Sequence, residues 1–257
     1  MDVLKIQQKK GENSVSFLRF TVLTNMMNIK KLIKPFLDLV FPATCICCGA
    51  STEASGKSIC NWCRHDRFEK AELVTKEILP AGVHFQFSLW MFDKGGYLQK
   101  LLHDLKYNFM MGVGEELGNL AGIEFLKSAE EEILKNLKVQ RVLIVPVPLH
   151  RKKERERGYN QARAIAAGFS RSTGWDLLEK GVISRVKRTK TQTGLSLTDR
   201  SENLNGAFQI NRKAHFHGAY VIIIDDVYTT GATSFELAGA LLADGVTGAA
   251  IVTVAKA

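Results

Sequence analysis

No apolar run among the 257 residues approaches the length of a membrane-crossing helix, so no stretch reads as such a span. No cysteine lies outside Cys45–Cys63. A disulfide scaffold would spread its cysteines over the fold. The clustering points instead to a metal site in a reducing compartment, and so to the cytoplasm. Neither Gly-x-Gly-x-x-Gly nor the Walker glycine pattern is present, which removes two common phosphate loops. No Ser-His-Asp or Cys-His set stands out, so a protein nucleophile has no visible carrier. Internal repeats and low-complexity segments are absent as well.

What remains is ordinary for a soluble globular protein, with 46% apolar and 24% charged residues. The formal charge of +9 suits phosphate-rich partners such as a nucleotide, a diphosphosugar or nucleic acid, although charge alone does not choose among them.

The most informative stretch is Tyr220–Thr233. Val221 to Ile224 are four aliphatic residues in a row, which reads as a strand buried on both faces of a parallel sheet. The carboxylates Asp225 and Asp226 are expected to end it. A hydroxyl-rich turn follows, then a helix from Ser234 to Asp244 with Phe235, Ala238, Leu241 and Leu242 on one face. Strand, tight turn and helix start form an anion site, because the N–H groups of Thr229, Thr230, Gly231, Ala232 and Thr233 can converge there. The carboxylates suit a diol, or a metal ion held through water. A phosphate beside a vicinal diol is a ribose 5-phosphate. The plain alternative, a capped turn, needs only one Asp. The stretch resembles the diphosphosugar-binding motif of the type I phosphoribosyltransferases.

Cys45 and Cys48 form one Cys-x-x-Cys pair, and Cys60 and Cys63 form another. Four thiolates so spaced can surround Zn²⁺ in a small structural ribbon, with Cys47 left over. The helix expected before it, Asn28 to Val40, carries apolar residues at helical spacing. Residues 1–27 read as an extension outside the fold, and residues 64–82 as a charged connector.

Further strands are expected at Phe85–Phe92, Val142–Pro148, Leu178–Arg188 and Gly248–Val254. Helices are expected from Gly95 to Tyr107, from Gly114 to Leu137, and from Gln161 to Phe169. Between them Leu149–Asn160 reads as a basic loop after a core strand. Ligands bind at that position in open α/β sheets, and Arg151 and Arg157 are candidates to hold a pyrophosphate. Lys106 is a weaker candidate, and His103 is read as structural. Gln192, Arg200 and Asn203 belong to a polar loop able to close over a sugar.

Taken in order, these pieces resemble the ComF/GntX family of phosphoribosyltransferase-like proteins, from about Met27 to the C-terminus. The carriers are the four-cysteine ribbon, Tyr97–Tyr107, Val145–His150 with Arg157–Gln161, Arg188–Asn203 and Asp225–Thr233. The resemblance implies an α/β fold of type I phosphoribosyltransferase kind, a helix-flanked parallel sheet over residues 83–257, with the amino-terminal zinc ribbon within 28–68. It implies that Asp225 and Asp226 face the ribose hydroxyls and any Mg²⁺, with Val227, Tyr228 and the 229–233 turn completing the 5-phosphoribosyl 1-diphosphate site. It also links the chain to uptake of transforming DNA. The expected activity is phosphoribosyl transfer to an acceptor that no residue identifies. The alternative is a non-catalytic DNA-uptake factor whose ribbon, with Trp62, contacts single-stranded DNA or a helicase-like partner.

Overall fold

The computed structural model describes residues 43–52, 57–71, 79–187, 206–211 and 216–257. The extension at 1–27, the helix expected from Asn28 to Val40 and the polar loop holding Gln192, Arg200 and Asn203 lie outside them. The chain divides into two compact units, Met1–Cys45 with Gly49–Cys60, and Ile46–Cys48 with Asn61–Ala257.

In the larger unit five strands form one sheet: β1 (Val83–Met91), β2 (Arg141–Pro146), β3 (Asp176–Leu177), β6 (Ala219–Tyr228) and β7 (Gly248–Lys256). Their order is β1-β7-β6-β2-β3, and every pairing is parallel. Val221 to Ile224 are completely buried at its centre. Each such side chain contributes about 1.5–3 kcal/mol. Two short strands, β4 (Ile183–Arg185) and β5 (Phe208–Ile210), pair antiparallel apart from the main sheet. The strand or strand edge expected within Leu178–Arg188 is β4, while the edge of the main sheet is the shorter β3.

Helices cover both faces, as expected of the α/β class. On one, Leu237, Ala238 and Leu241 of α6 (Ala232–Ala243) pack on Val221, Ile223, Ala249 and Ile251. On the other, Phe125 of α2 (Met111–Ser128) meets Phe87 of β1 and Phe169 of α5 (Gln161–Thr173). These two helices touch backbone to backbone. A methyl group at Gly118 would lie 1.8 Å from the Ile165 carbonyl oxygen, and one at Gly168 would lie 1.9 Å from that of Glu115.

Three expectations change. The helix expected over Gly114–Leu137 is two, α2 and α3 (Glu131–Lys138), because Ala129 turns extended and Ser128 Oγ donates to the Glu124 carbonyl. Glu131 and Glu132 then favour a fresh N-terminus. The basic loop contains a short helix, α4 (Arg151–Arg157), which Gly158 ends in left-handed backbone at φ 75°. Charge around the whole helix left no periodicity to read. Residues 64–71 are more than a connector: Phe68 is buried against Trp90, and Lys70 bridges to that strand residue.

In the smaller unit Thr44 and Ser51 pair across a turn, with Gly49 N–H donating to the Cys45 carbonyl at 2.8 Å. Among the described residues no helix is long and apolar enough to cross a membrane.

Candidate functional site

From β2 the chain crosses toward β3, and from β6 toward β7, on the opposite side. The sheet order therefore reverses between β2 and β6. Crevices outside strand C-termini at such a point are where open α/β sheets bind ligands. Asp225–Thr233 and the basic segment 150–161 both leave the sheet here.

The two carboxylates do not end β6. Asp225 still pairs with Thr253, and Tyr228 with Lys256, because β7 runs on beside them. On the other side the pairing stops at Pro146 opposite Ile224. Prolines at 146 and 148 carry no N–H to extend the ladder. The aspartates thus lie on a strand held along one edge only. Gly231 then turns the chain at φ 70° and α6 begins at Ala232. A side chain at Gly231 would strike the rings of Phe235 and Tyr228 at 2.6–2.8 Å.

Successive strand residues point to opposite faces. Asp226, 6% exposed, faces α1 (Tyr97–Tyr107) and α5. Its Oδ2 is ion-paired with Lys106 Nζ, and its Oδ1 accepts from Gln161 Nε2 at 3.4 Å. Asp225 is half-buried, accepts the Asp226 N–H at 2.9 Å, and its charge acts on Arg185 of β4. Burial, with the Asp226 charge beside it, pushes the Asp225 carboxyl well above the usual carboxylate range. Burial works against the Asp226 charge too, but Lys106 and the hydrogen bonds from Asp225, Lys106 and Gln161 hold it below that range. Asp226 in turn raises the Lys106 ammonium above its ordinary value. Burial lowers Arg185.

The Arg157–Gln161 run sets this arrangement. Arg157 Nη1 donates to Gln161 Oε1 at 2.9 Å, and its guanidinium lies 5.4 Å from the Tyr107 ring centre. The Tyr159 hydroxyl donates to the Leu105 carbonyl, tying down the end of α1 that carries Lys106. Burial pushes that phenol to about 12. Asn160 Nδ2 donates to the Val147 carbonyl at 3.0 Å, and its Oδ1 accepts the Ala162 N–H at 3.0 Å, clamping β2 to α5.

Arg151 and Arg157 sit apart. Arg151 is exposed and lines a cleft of about 290 Å³ with Pro148, Asn160, Lys180 and Arg185, whereas Arg157 belongs to the Asp226 cluster. Lys106, kept from sequence as a weaker candidate, is the direct partner of Asp226. Gln161, Tyr159 and Arg185 were not singled out by role. Only an Asn-Gln pair opening a helix gave any hint of the first.

The aspartate pair does not make a resident Mg²⁺ site. Both Asp226 oxygens are engaged, and Mg²⁺ needs octahedral oxygen ligands. The cysteines do fit a metal. The Sγ atoms of Cys45, Cys48, Cys60 and Cys63 lie within 4.8 Å of one another. Tetrahedral Zn²⁺ at a Zn–S distance of ~2.3 Å spaces its sulfurs about 3.8 Å apart. The Cys60 N–H also points at Cys45 Sγ, at 3.3 Å. Cys47 is buried but stands outside the four.

No family model matches the chain. Among curated proteins it is 42% identical over 95 residues to Competence protein F of Haemophilus influenzae, covering 37% of this chain and 41% of the relative. It is 29% identical over 222 residues to DNA utilization protein YhgH of Escherichia coli, covering 80% and 94%. Competence protein ComFC of Bacillus subtilis shares 35% over 103 residues, covering 40% and 39%. The chain thus spans less than half of two of these relatives and nearly all of the third. A solved allosteric regulatory enzyme of purine biosynthesis overlaps 55% of the chain at 19% identity and a TM-score of 0.35, too loosely to carry weight.

Proposed function

We propose that the chain belongs to the ComF family, that it serves the uptake or use of DNA, and that the β2–β6 crevice takes 5-phosphoribosyl 1-diphosphate. The observation that carries the ligand is the Asp225–Thr233 junction at the point where sheet order reverses. The amides and hydroxyls of residues 229–233 are the donors for the 5-phosphate, and the helix start favours its charge. Asp225 is an acceptor for the ribose hydroxyls, and Asp226 becomes one when Lys106 swings away from its Oδ2. The diphosphate falls to the cleft lined by Arg151, Lys180 and Arg185. A Mg²⁺ ion would come on the diphosphate oxygens, where it neutralises charge, instead of from the chain. The cysteine cluster holds Zn²⁺ in a structural role.

The reaction proposed is phosphoribosyl transfer. The bond from C1 of the sugar to the diphosphate oxygen breaks, and the diphosphate leaves with the electron pair. An acceptor lone pair then forms the new bond to C1 and releases its proton to solvent. The protein supplies position and charge, which agrees with the lack of a nucleophilic triad. Calorimetry with 5-phosphoribosyl 1-diphosphate tests the site, and pyrophosphate release across amine and nucleobase acceptors tests the turnover. Binding lost in an Asp225→Asn, Asp226→Asn double variant supports the assignment. Wild-type affinity in that variant refutes it.

One observation favours the second reading, a DNA-binding factor without turnover. Trp62 is 52% exposed beside the cysteine cluster, and Arg67 lies 4.8 Å from its ring centre and 3.3 Å from that of Tyr97. An exposed aromatic and cationic stack suits unpaired bases. Single-stranded DNA should then bind at low salt, weaken steeply as salt rises, and bind less well to Trp62→Ala. Absence of binding at low salt removes this reading.

A further inference from the structure

We infer that Lys106 is the resident counter-cation of the aspartate pair, occupying at Asp226 the place a free divalent ion would need, so that such an ion enters only when Lys106 leaves. Three observations lead there. Lys106 Nζ is ion-paired with Asp226 Oδ2 while Gln161 donates to Oδ1, so each oxygen of the buried carboxylate already has a partner and its charge is already balanced. The stem of Lys106 is held in place: Leu98, Leu101, Leu102 and Leu105 bury the inner face of α1, and the Tyr159 hydroxyl bonds the Leu105 carbonyl. Its side chain is nonetheless 26% exposed, which leaves it a way out.

The charges around the pair point the same way. Lys106 and Arg157 stand near Asp226, and Arg185 acts with Asp225. Glu236 of α6 also acts on Arg185, but at Asp226 itself two cations face one carboxylate, which disfavours a free divalent ion there and favours a ligand that brings its own negative charge. The two aspartates alone, as the sequence prints them, suggest the opposite. This inference concerns the ligand-free chain and stands whichever sugar the site takes.

The test is a titration of the zinc-loaded, full-length protein with Mn²⁺, followed by electron paramagnetic resonance. Wild type and Lys106→Arg should leave the aqueous Mn²⁺ signal intact at equimolar metal. Lys106→Met should take up one Mn²⁺ per chain, with affinity higher by roughly tenfold or more, since a charged hydrogen bond no longer competes. Adding Asp226→Asn should abolish that uptake. Equal uptake by wild type and Lys106→Met overturns the inference, as does uptake that survives Asp226→Asn. Should Lys106→Met fail to fold, amine labelling with mass spectrometry decides. The Asp226→Asn single variant should then label Lys106 roughly tenfold faster than wild type, and an unchanged rate refutes the pairing. Titration of the same proteins with 5-phosphoribosyl 1-diphosphate reports on the proposed ligand separately.

Discussion

Replacing each aspartate of the adjacent pair with asparagine should affect stability unequally, with a loss at Asp226 and none at Asp225. Asp226 is buried and paired with Lys106, whose side chain is one quarter exposed. Asp226→Asn keeps an oxygen for Gln161 but leaves the ammonium without its anion. Loss of a buried partner costs 3–5 kcal/mol at most, and water reaching Lys106 brings this to about 1–3 kcal/mol. For a chain of this size the melting temperature should fall by roughly 2–10 °C. Asp225 is half-buried and held well above the usual carboxylate range by burial and by Asp226. Ionising it in the folded chain therefore opposes folding. Asp225→Asn keeps the acceptor for the Asp226 N–H and should leave stability unchanged or raise it by about 1 kcal/mol.

The pH dependence gives a second sign. A depressed folded value, as for Asp226, stabilises above the ordinary carboxylate range and is lost as pH falls through the folded value. A raised value, as for Lys106, stabilises below the ordinary lysine range and is lost as pH rises through the folded value. The loss caused by Asp226→Asn should therefore be largest between those ranges and vanish in acid. The raised Asp225 value favours folding below the ordinary carboxylate range, so its penalty appears only as pH rises. Urea titrations at pH 7 and in acid measure both variants. Equal losses, or a larger loss for Asp225→Asn, would refute this reading of the cluster.

Other outcomes follow from the same geometry. Cys60→Ser should lose the bound zinc in elemental analysis while Cys47→Ser retains one metal per chain, because only the former belongs to the four-sulfur cluster. Gly118→Ala should destabilise the fold by about 1–3 kcal/mol in denaturant titration, since the added methyl meets the Ile165 carbonyl at 1.8 Å. Arg151→Ala should leave the melting temperature within about 1 °C, because the side chain is exposed, yet weaken diphosphosugar affinity by roughly tenfold in calorimetry.

The fold and the outline of the candidate site were legible in the sequence for physical reasons. Val221–Ile224 and Val142–Val145 are apolar without interruption because helices cover both sheet faces, and such runs announce themselves. The nearness of the four cysteines was legible because paired Cys-x-x-Cys spacing suits a tetrahedral metal site. Helix α4 was not, because seven residues with none buried show no amphipathic period. The break between α2 and α3 rests on two extended residues, Ala129 and Glu130, with no proline or glycine to mark it. The Lys106–Asp226 contact joins residues 120 positions apart, and only the assembled fold brings α1 beside β6. Asp225 and Asp226 read alike as letters, whereas the pleat sends them to different faces and different electrostatic fates.

The most direct measurement of the central claim is a structure of the chain with 5-phosphoribosyl 1-diphosphate bound. The account predicts the 5-phosphate on the 229–233 turn, the ribose hydroxyls at Asp225 and Asp226, and the diphosphate toward Arg151. Ligand found elsewhere, or a 229–233 turn left empty at saturating ligand, would contradict it.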